Sequence, residues 1–480
     1  MSFSVQGEAV VSPNSLHILS SQVLFSLRNF HIFHNEGKTF VFDPETVTVL
    51  EINRDEELYI RWIQGEERGK PTERNMRWQA EKIENVQRGL KKKLDLHVSP
   101  PEDVGTEDYP YEVEIMVNAS QICNLSCDYC FVHRGRFNYT GARGQFVSKR
   151  HLEKLVFALP EAFPLTQRYD IHFYGGEPLL NLSAISHCVD TIHKMNDNRF
   201  SLTITTNGTV LTDEAIAVLG RGRFDVVLSI DGPPHIHDAV RRTHADEPSH
   251  AVVMEFLRRI KSEFNLMVRG SSVVRHGWSL KDATAYLKRL PVDLIKAQAV
   301  RIQDSHPLAL TQKERQDYIS HLLEIAEDVK QSLDAESYPM DDRFRGTVLQ
   351  LLMKKKRTVF CGAGKSLFGM SAEGRMLVCA LLAGAESSDL GSIEDPLHLW
   401  VEKGAQYRKL FRPKKACHEC WALPLCGGGC FAMQSACGDV DCDFMRGTCE
   451  GALRIYASFY KERPHDLLIL AGIMGDEIEF

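Results

Sequence analysis

Two absences narrow the possibilities before any motif is read. No apolar run reaches the roughly eighteen residues that a bilayer-crossing helix needs, so no membrane association is expected. Positive charge is not in surplus either: 57 Lys and Arg stand against 64 Asp and Glu, a net charge of −7. Such a balance offers nucleic acid no general attraction, and no nucleic-acid partner is expected. The opening MSFSVQGEAVVSPNS lacks a basic stretch followed by an apolar core, so it does not read as a secretory signal. A cytoplasmic location follows as the expectation, and disulfides are rare in that reducing compartment. The 13 cysteines therefore need another account.

Ten of them fall into two groups, which points to metal. The first is CNLSCDYC, with Cys123, Cys127 and Cys130 in a C-x3-C-x2-C spacing. Three thiolates can hold three irons of a cubane [4Fe–4S] cluster and leave the fourth iron open for chemistry. A zinc knuckle completed by His133 has compatible spacing. Cys188 falls on an expected helix and reads as a core thiol.

With 480 residues, 43% hydrophobic and 25% charged, the chain is long enough for two or three globular domains. Residues 1–110 read as a small α+β module. Short antiparallel strands are expected over 31–53, helices over 56–64 and 72–94, and an acidic, proline-rich linker over 98–110. From 111 to 305 strands alternate with helices. Strands are expected at 112–119, 170–176, 201–208, 225–232, 266–274 and 294–302, with helices near 149–160, 182–196, 212–221, 250–263 and 279–290. This alternation predicts an α/β fold of parallel strands, as a doubly wound sheet or a whole or partial barrel. A helical bridge (306–360), a cysteine-rich segment (361–450) and a C-terminal helix with an acidic tail (451–480) follow.

In such folds the working residues sit in loops after the strand C-termini. The cysteine loop falls there, as do Gly175, Gly176 and Glu177 of YGGEPLL, Asn207 of TTNG, and Ser229 and Asp231 of SIDG, with Arg241 just beyond. The glycine pair would let backbone approach a ligand closely, and Glu177 would suit an ammonium group. Together these positions make a binding site on one rim.

The cysteine loop with Tyr129 before its last cysteine, the GGEP, and the SIDG with Arg241 downstream resemble the radical S-adenosylmethionine superfamily over about residues 111–305. The resemblance implies a partial (β/α)6 barrel and a [4Fe–4S] cluster held by Cys123, Cys127 and Cys130. Its open iron would be chelated by S-adenosylmethionine, which on reduction yields methionine and a hydrogen-abstracting 5′-deoxyadenosyl radical. Tyr129, Gly176, Glu177, Ser229 and Arg241 would contact S-adenosylmethionine, with Gly175, Asn207 and Asp231 on the same rim.

The second group comprises Cys361, Cys379, Cys417, Cys420, Cys426, Cys430 and Cys449. Zinc ribbons share some of these spacings. The pattern also resembles the SPASM domain of radical enzymes that act on peptides, a C-terminal iron–sulfur domain with two auxiliary clusters, giving three [4Fe–4S] clusters in all. By that resemblance Cys361, Cys379 and Cys430 ligate the first auxiliary cluster, and Cys417, Cys420, Cys426 and Cys449 the second. Cys437 or Cys442 would supply the first cluster's fourth ligand, or that position is open.

CGAG and CHECWALPLCGGGC resemble thioether-forming peptide maturases, including those of cysteine-rich peptides and of quinohemoprotein amine dehydrogenase. The expected activity is therefore intrapeptide thioether formation on a ribosomally made, cysteine-containing precursor with a leader. Flavodoxin or ferredoxin would supply electrons, and the N-terminal module is a candidate leader-recognition element. Anaerobic sulfatase-maturating enzymes carry a basic Asp after the cysteine matching Cys379. Ala380 stands there in this chain, which disfavours formylglycine formation. Carbon–carbon crosslinking and a non-catalytic iron–sulfur or zinc-binding peptide adaptor are the other readings.

Overall fold

The computed structural model describes residues 29–66, 86, 88–90, 93, 110–132, 146–411, 413–430, 432 and 442–472. The expected helix at 72–94 and linker at 98–110 lie, but for a few residues, outside this set, as do His133, Cys437 and the acidic tail.

The N-terminal part is a three-stranded antiparallel meander, β1 (His31–Asn35), β2 (Lys38–Asp43) and β3 (Thr48–Ile52), followed by helix α1 (Arg54–Gln64). It does not stand apart. Phe33, Phe40, Phe42 and Val49 pack with Leu425, Cys449 and Leu453 of the cysteine-rich region. His31 stacks on Trp421 at 3.7 Å between ring centroids.

The barrel wall follows as β4 (Glu112–Ser120), α2 (Lys149–Ala162), β5 (Arg168–Gly175), α3 (Leu182–Met195), β6 (Phe200–Thr206), α4 (Asp213–Gly222), β7 (Asp225–Ser229), α5 (His250–Phe264), β8 (Val268–Val274), α6 (Leu280–Leu287) and β9 (Leu294–Ala299). The six strands are parallel neighbours in chain order, as the alternating pattern predicts. Strand period decides which side chains face inward. Val113, Ile115 and Val117 are fully buried in a core with Leu155, Ile185 and Leu219 of the outer helices. Their alternates Glu114, Met116 and Asn118 therefore face the lumen. Ser148, Thr212 and Ser279 start α2, α4 and α6 by accepting a main-chain N–H with their hydroxyls.

The sheet does not stop at the barrel. After α7 (Gln312–Asp334) and α8 (Arg345–Leu352), strand β10 (Leu367–Met370) pairs parallel with β4. Strands β11 (Arg375–Leu377) and β12 (Asp389–Ser392) extend it antiparallel to a nine-stranded sheet. The cysteine-rich segment from 361 is thus joined to the barrel sheet by main-chain hydrogen bonds. Helices α9 (Leu397–Leu410), α10 (Cys442–Phe459) and α11 (Pro464–Ala471) complete the chain, and α10 runs through the expected boundary at 450. Among the described residues, no helix is long and apolar enough to cross a membrane.

Trp400 of α9 is fully buried and meets Phe368 of β10 and Phe163 at the end of α2, at 5.1 and 5.8 Å. It joins the cysteine-rich segment to the barrel. Trp400→Ala should cost about 3–5 kcal/mol, read as a lowered urea midpoint with α9 becoming sensitive to proteolysis before the barrel strands.

Candidate functional site

The loop after β4 that carries Cys123, Cys127 and Cys130 is fastened from several sides. Main-chain N–H groups of Ser126 and Asp128 donate to the carbonyls of Arg242 and Val240 at 2.8 and 3.3 Å. The Tyr129 hydroxyl donates to Asp231 Oδ2, and Asp231 Oδ1 accepts the Val273 N–H at 3.1 Å. Arg241 stands 3.3 Å from Asp231 and lies over the Tyr129 ring at 5.4 Å. All three side chains are buried. A charge pair in that setting is costly to break, because either partner left alone is a buried unpaired ion. Asn207 joins from β6: its amide donates to Asn124 Oδ1 at 2.9 Å and lies 3.7 Å from Cys123 Sγ.

The glycine pair has a use that its sequence context did not show. A side chain on Gly176 would meet the Ile122 carbonyl oxygen at 2.1 Å, and one on Gly175, at φ +129°, would meet Asn118 Oδ1 at 2.3 Å. Gly176 N–H donates to Ser120 O at 2.8 Å, and Glu177 N–H to Ile122 O at 2.9 Å. The closely approached partner is thus the cysteine loop's own backbone. Glu177 also departs from expectation. Its carboxylate is fully buried and accepts the Thr206 hydroxyl and Asn207 N–H at 2.8 Å each and the Leu179 N–H at 3.1 Å. Burial pushes it up to about 7, against the pull of those hydrogen bonds. Glu177 therefore knits three strand ends together instead of standing free on the rim.

Ser229 ends β7 half-buried, with no hydrogen-bond partner for its hydroxyl among the described residues. Sequence reasoning missed Asn118. It is fully buried, and neither its amide nitrogen nor its oxygen has a hydrogen-bond partner among the described residues. The available signal was an asparagine inside a strand, where the residue is disfavoured without a polar task. Deeper in the lumen, His172 is bonded on both ring nitrogens, to Glu114 at 2.9 Å and Thr205 at 2.8 Å. With neither nitrogen spare, this trio with Asp170 is a hydrogen-bonded network and not a ready metal site.

The downstream cysteines separate into two sets. Cys379 is influenced by Cys361, Cys430 and, across the lumen, Glu114. Cys449 is influenced by Cys426 and Cys420. Cys442, exposed at the start of α10, lies in the field of Cys426. Cys417 is half-buried three residues before Cys420. Tyr174 connects the sites: burial pushes its hydroxyl up to about 12, and Arg301, Cys130 and Cys379 all act on it. Burial likewise pushes Cys123 and Cys379 up to about 12. Thiols held this far from ionisation become thiolates when a metal supplies the countercharge.

Residues 117–290 match the Radical SAM superfamily. The chain is 25% identical over 366 residues to a cysteine-type anaerobic sulfatase-maturating enzyme of Clostridium perfringens, covering 72% of this chain and 93% of the relative. It is 26% identical over 176 residues to the radical SAM cyclopropyl synthase TigE of Paramaledivibacter caminithermalis, covering 34% and 35%. The fold matches native anSMEcpe with bound AdoMet at a TM-score of 0.59 and 19% identity, over 75% of this chain and all of that one. These relationships support S-adenosylmethionine and a [4Fe–4S] cluster as cofactors. The site fits them: three thiols gather at one loop, and the Asn118 amide, without a hydrogen-bond partner among the described residues, leaves buried polar atoms for a ligand.

Gly176→Ala would drive Cβ into the Ile122 carbonyl, so the loop must shift. The expected outcome is at least a tenfold fall in reductive cleavage of S-adenosylmethionine, about 1.4 kcal/mol or more, measured as deoxyadenosine release. Tyr129→Phe, which removes one partner of a buried carboxylate, should cost about 1–3 kcal/mol in stability, read by chemical denaturation.

Proposed function

We propose that this chain is a radical S-adenosylmethionine maturase of a cysteine-containing peptide, closing a thioether between a cysteine sulfur and a carbon. The observation that carries this reading is the set Cys361, Cys379 and Cys430, three thiols grouped beside the barrel lumen. Three protein ligands would leave one iron of an auxiliary cluster open to a substrate sulfur. Cys417, Cys420, Cys426 and Cys449 would hold the second auxiliary cluster, as in a SPASM domain. Forming C–S from C–H and S–H releases two hydrogens, one as an atom and one as a proton plus an electron. Cys123, Cys127 and Cys130 would hold the cluster that, with bound S-adenosylmethionine, would supply the hydrogen-atom acceptor, and an auxiliary cluster would supply the electron acceptor.

The chain's own residues do the positioning. Tyr129, Asp231 and Arg241 hold the cysteine loop, Glu177 and Asn207 lock it to the next two strand ends, and Tyr174 lies in the field of both Cys130 and Cys379. The β1–β3 meander, with a helix behind it, supports a role in docking a leader segment by strand addition, and a cytoplasmic flavodoxin or ferredoxin would deliver the electron.

Formylglycine formation is the second reading, favoured by the long match to a sulfatase-maturating enzyme. Against it stands Ala380, fully buried, which offers no carboxylate beside Cys379. Mass spectrometry of a cysteine-bearing precursor after incubation separates them. The thioether reading predicts a loss of two hydrogens with the cysteine protected from alkylation. A product that has lost its sulfur and reacts with hydrazide would establish the aldehyde instead. Anaerobically reconstituted protein should carry about twelve irons; a zinc-only preparation would overturn the enzyme reading.

A further inference from the structure

A cavity of about 390 Å³ opens along β9, the last strand of the barrel, and its wall includes Gly429 and Cys430 of the cysteine-rich segment. Its charge is one-sided. Arg269 is matched by Asp342 at 2.6 Å, and Arg343 by both oxygens of Asp341 at 2.8 and 2.6 Å. Three further cations line it with no carboxylate in ion-pair reach among the described residues: Lys296, Arg301 and Arg357. Arg357 has a destined countercharge, since Cys449, Cys426 and Cys361 are its electrostatic neighbours.

Lys296 and Arg301 do not: Asp342, the carboxylate that acts on Lys296, is already held by Arg269 at 2.6 Å. Among the described residues Arg301 reaches Gln298 Oε1 at 3.4 Å and the Phe131 ring at 5.6 Å. Lys296 is on the lumen face of β9, in register with Ser271, and the surface it exposes lines this cavity. Although it meets water there, the surrounding wall desolvates its ammonium, and with Arg269 pulls it down to about 8. An unpaired cation in such a place is costly unless an anion arrives to match it. A lysine on an ordinary solvated face would show neither the enclosure nor the neighbouring guanidinium.

The cavity also borders the site. Arg301 acts on Tyr174, which in turn feels Cys130 and Cys379. We infer that the cavity binds a carboxylate of the peptide substrate, with Lys296 and Arg301 as the recognising cations. The site thereby selects a peptide with an acidic group close to the residue being modified. This rests on the peptide reading above and adds a substrate class to it. Arg301 gives a planar fork for bidentate contact and Lys296 a point charge. The carboxylate could come from an Asp or Glu side chain or from the peptide's C-terminus, and both meet the same two cations.

The test uses the full-length, reconstituted protein and fluorescence anisotropy of three dansylated, glycine-rich heptapeptides. One carries two glutamates and an amidated C-terminus, one has glutamines in their place, and the third is the glutamine peptide with a free C-terminal carboxylate. The glutamate peptide should bind about tenfold tighter than the amidated glutamine peptide. Tight binding of the third peptide alone would assign the site to the C-terminal carboxylate and still support the inference. Lys296→Gln with Arg301→Gln should erase the preference at unchanged iron content. Lys296→Glu should shift binding toward a lysine-bearing heptapeptide, a gain that misfolding cannot produce. Equal binding of all three peptides by the unaltered protein, or a preference that survives the double substitution, would overturn the inference. Because binding is read without turnover, a carboxylate preference with no modified product would count against the proposed maturation and leave the cavity assignment standing.

Discussion

The backbone contact between Gly176 and Ile122 is the constraint on which the rest of the site depends. Two loops after neighbouring parallel strands run so close that a single methyl group would collide with a carbonyl oxygen. Only that approach lets the Glu177 N–H bond the Ile122 carbonyl while its carboxylate gathers Thr206 and Asn207 from the third strand end. From the other side, Asp231 and Arg241 hold Tyr129. The three cysteines thus sit on a loop that is fastened to its neighbours from both sides. Burial raises the Cys123 and Cys127 thiols, so metal binding, which needs thiolates, is coupled to their setting in the loop.

The second constraint is the parallel pairing of β10 with β4. It continues the barrel's sheet into the cysteine-rich segment and brings Cys379 within the field of Glu114, a lumen residue from the opposite end of the chain. The buried cluster of Trp400, Phe368 and Phe163 fixes this junction. On the far edge, β9 presents its cations to a cavity that Cys430 also borders. One edge of the open barrel therefore brings the acid Glu114 into the field of Cys379, and the other shares a cavity wall with Cys430 through Lys296 and Arg301. A peptide held there would meet a polarised surface, which argues for recognition by charge as well as by shape.

Much of this was legible in the sequence, for identifiable reasons. The strands and helices from 112 to 299 follow strong two-residue and helical periodicities, and their order fixed a parallel sheet. The cysteine spacing and the GGEP were legible because close backbone packing and metal ligation admit few residue types. What stayed hidden depends on tertiary neighbours. Nothing local says that Leu367–Met370 will join a strand some 250 residues earlier. Glu177 read as a free acid because its three hydrogen-bond donors come from its own turn and from β6 and the loop after it. Asn118 and Lys296 looked like ordinary strand residues, since the missing partner of each can be recognised only when its surroundings are known.

The central claim, that Cys123, Cys127 and Cys130 hold a cluster whose fourth iron is open to S-adenosylmethionine, is tested most directly by electron–nuclear double resonance. The sample is the dithionite-reduced protein with S-adenosylmethionine carrying a 15N-labelled amino group. The account predicts a resolved 15N coupling to the cluster spin, absent in Cys127→Ala. A fully reduced cluster at this loop with bound S-adenosylmethionine and no 15N coupling would contradict it.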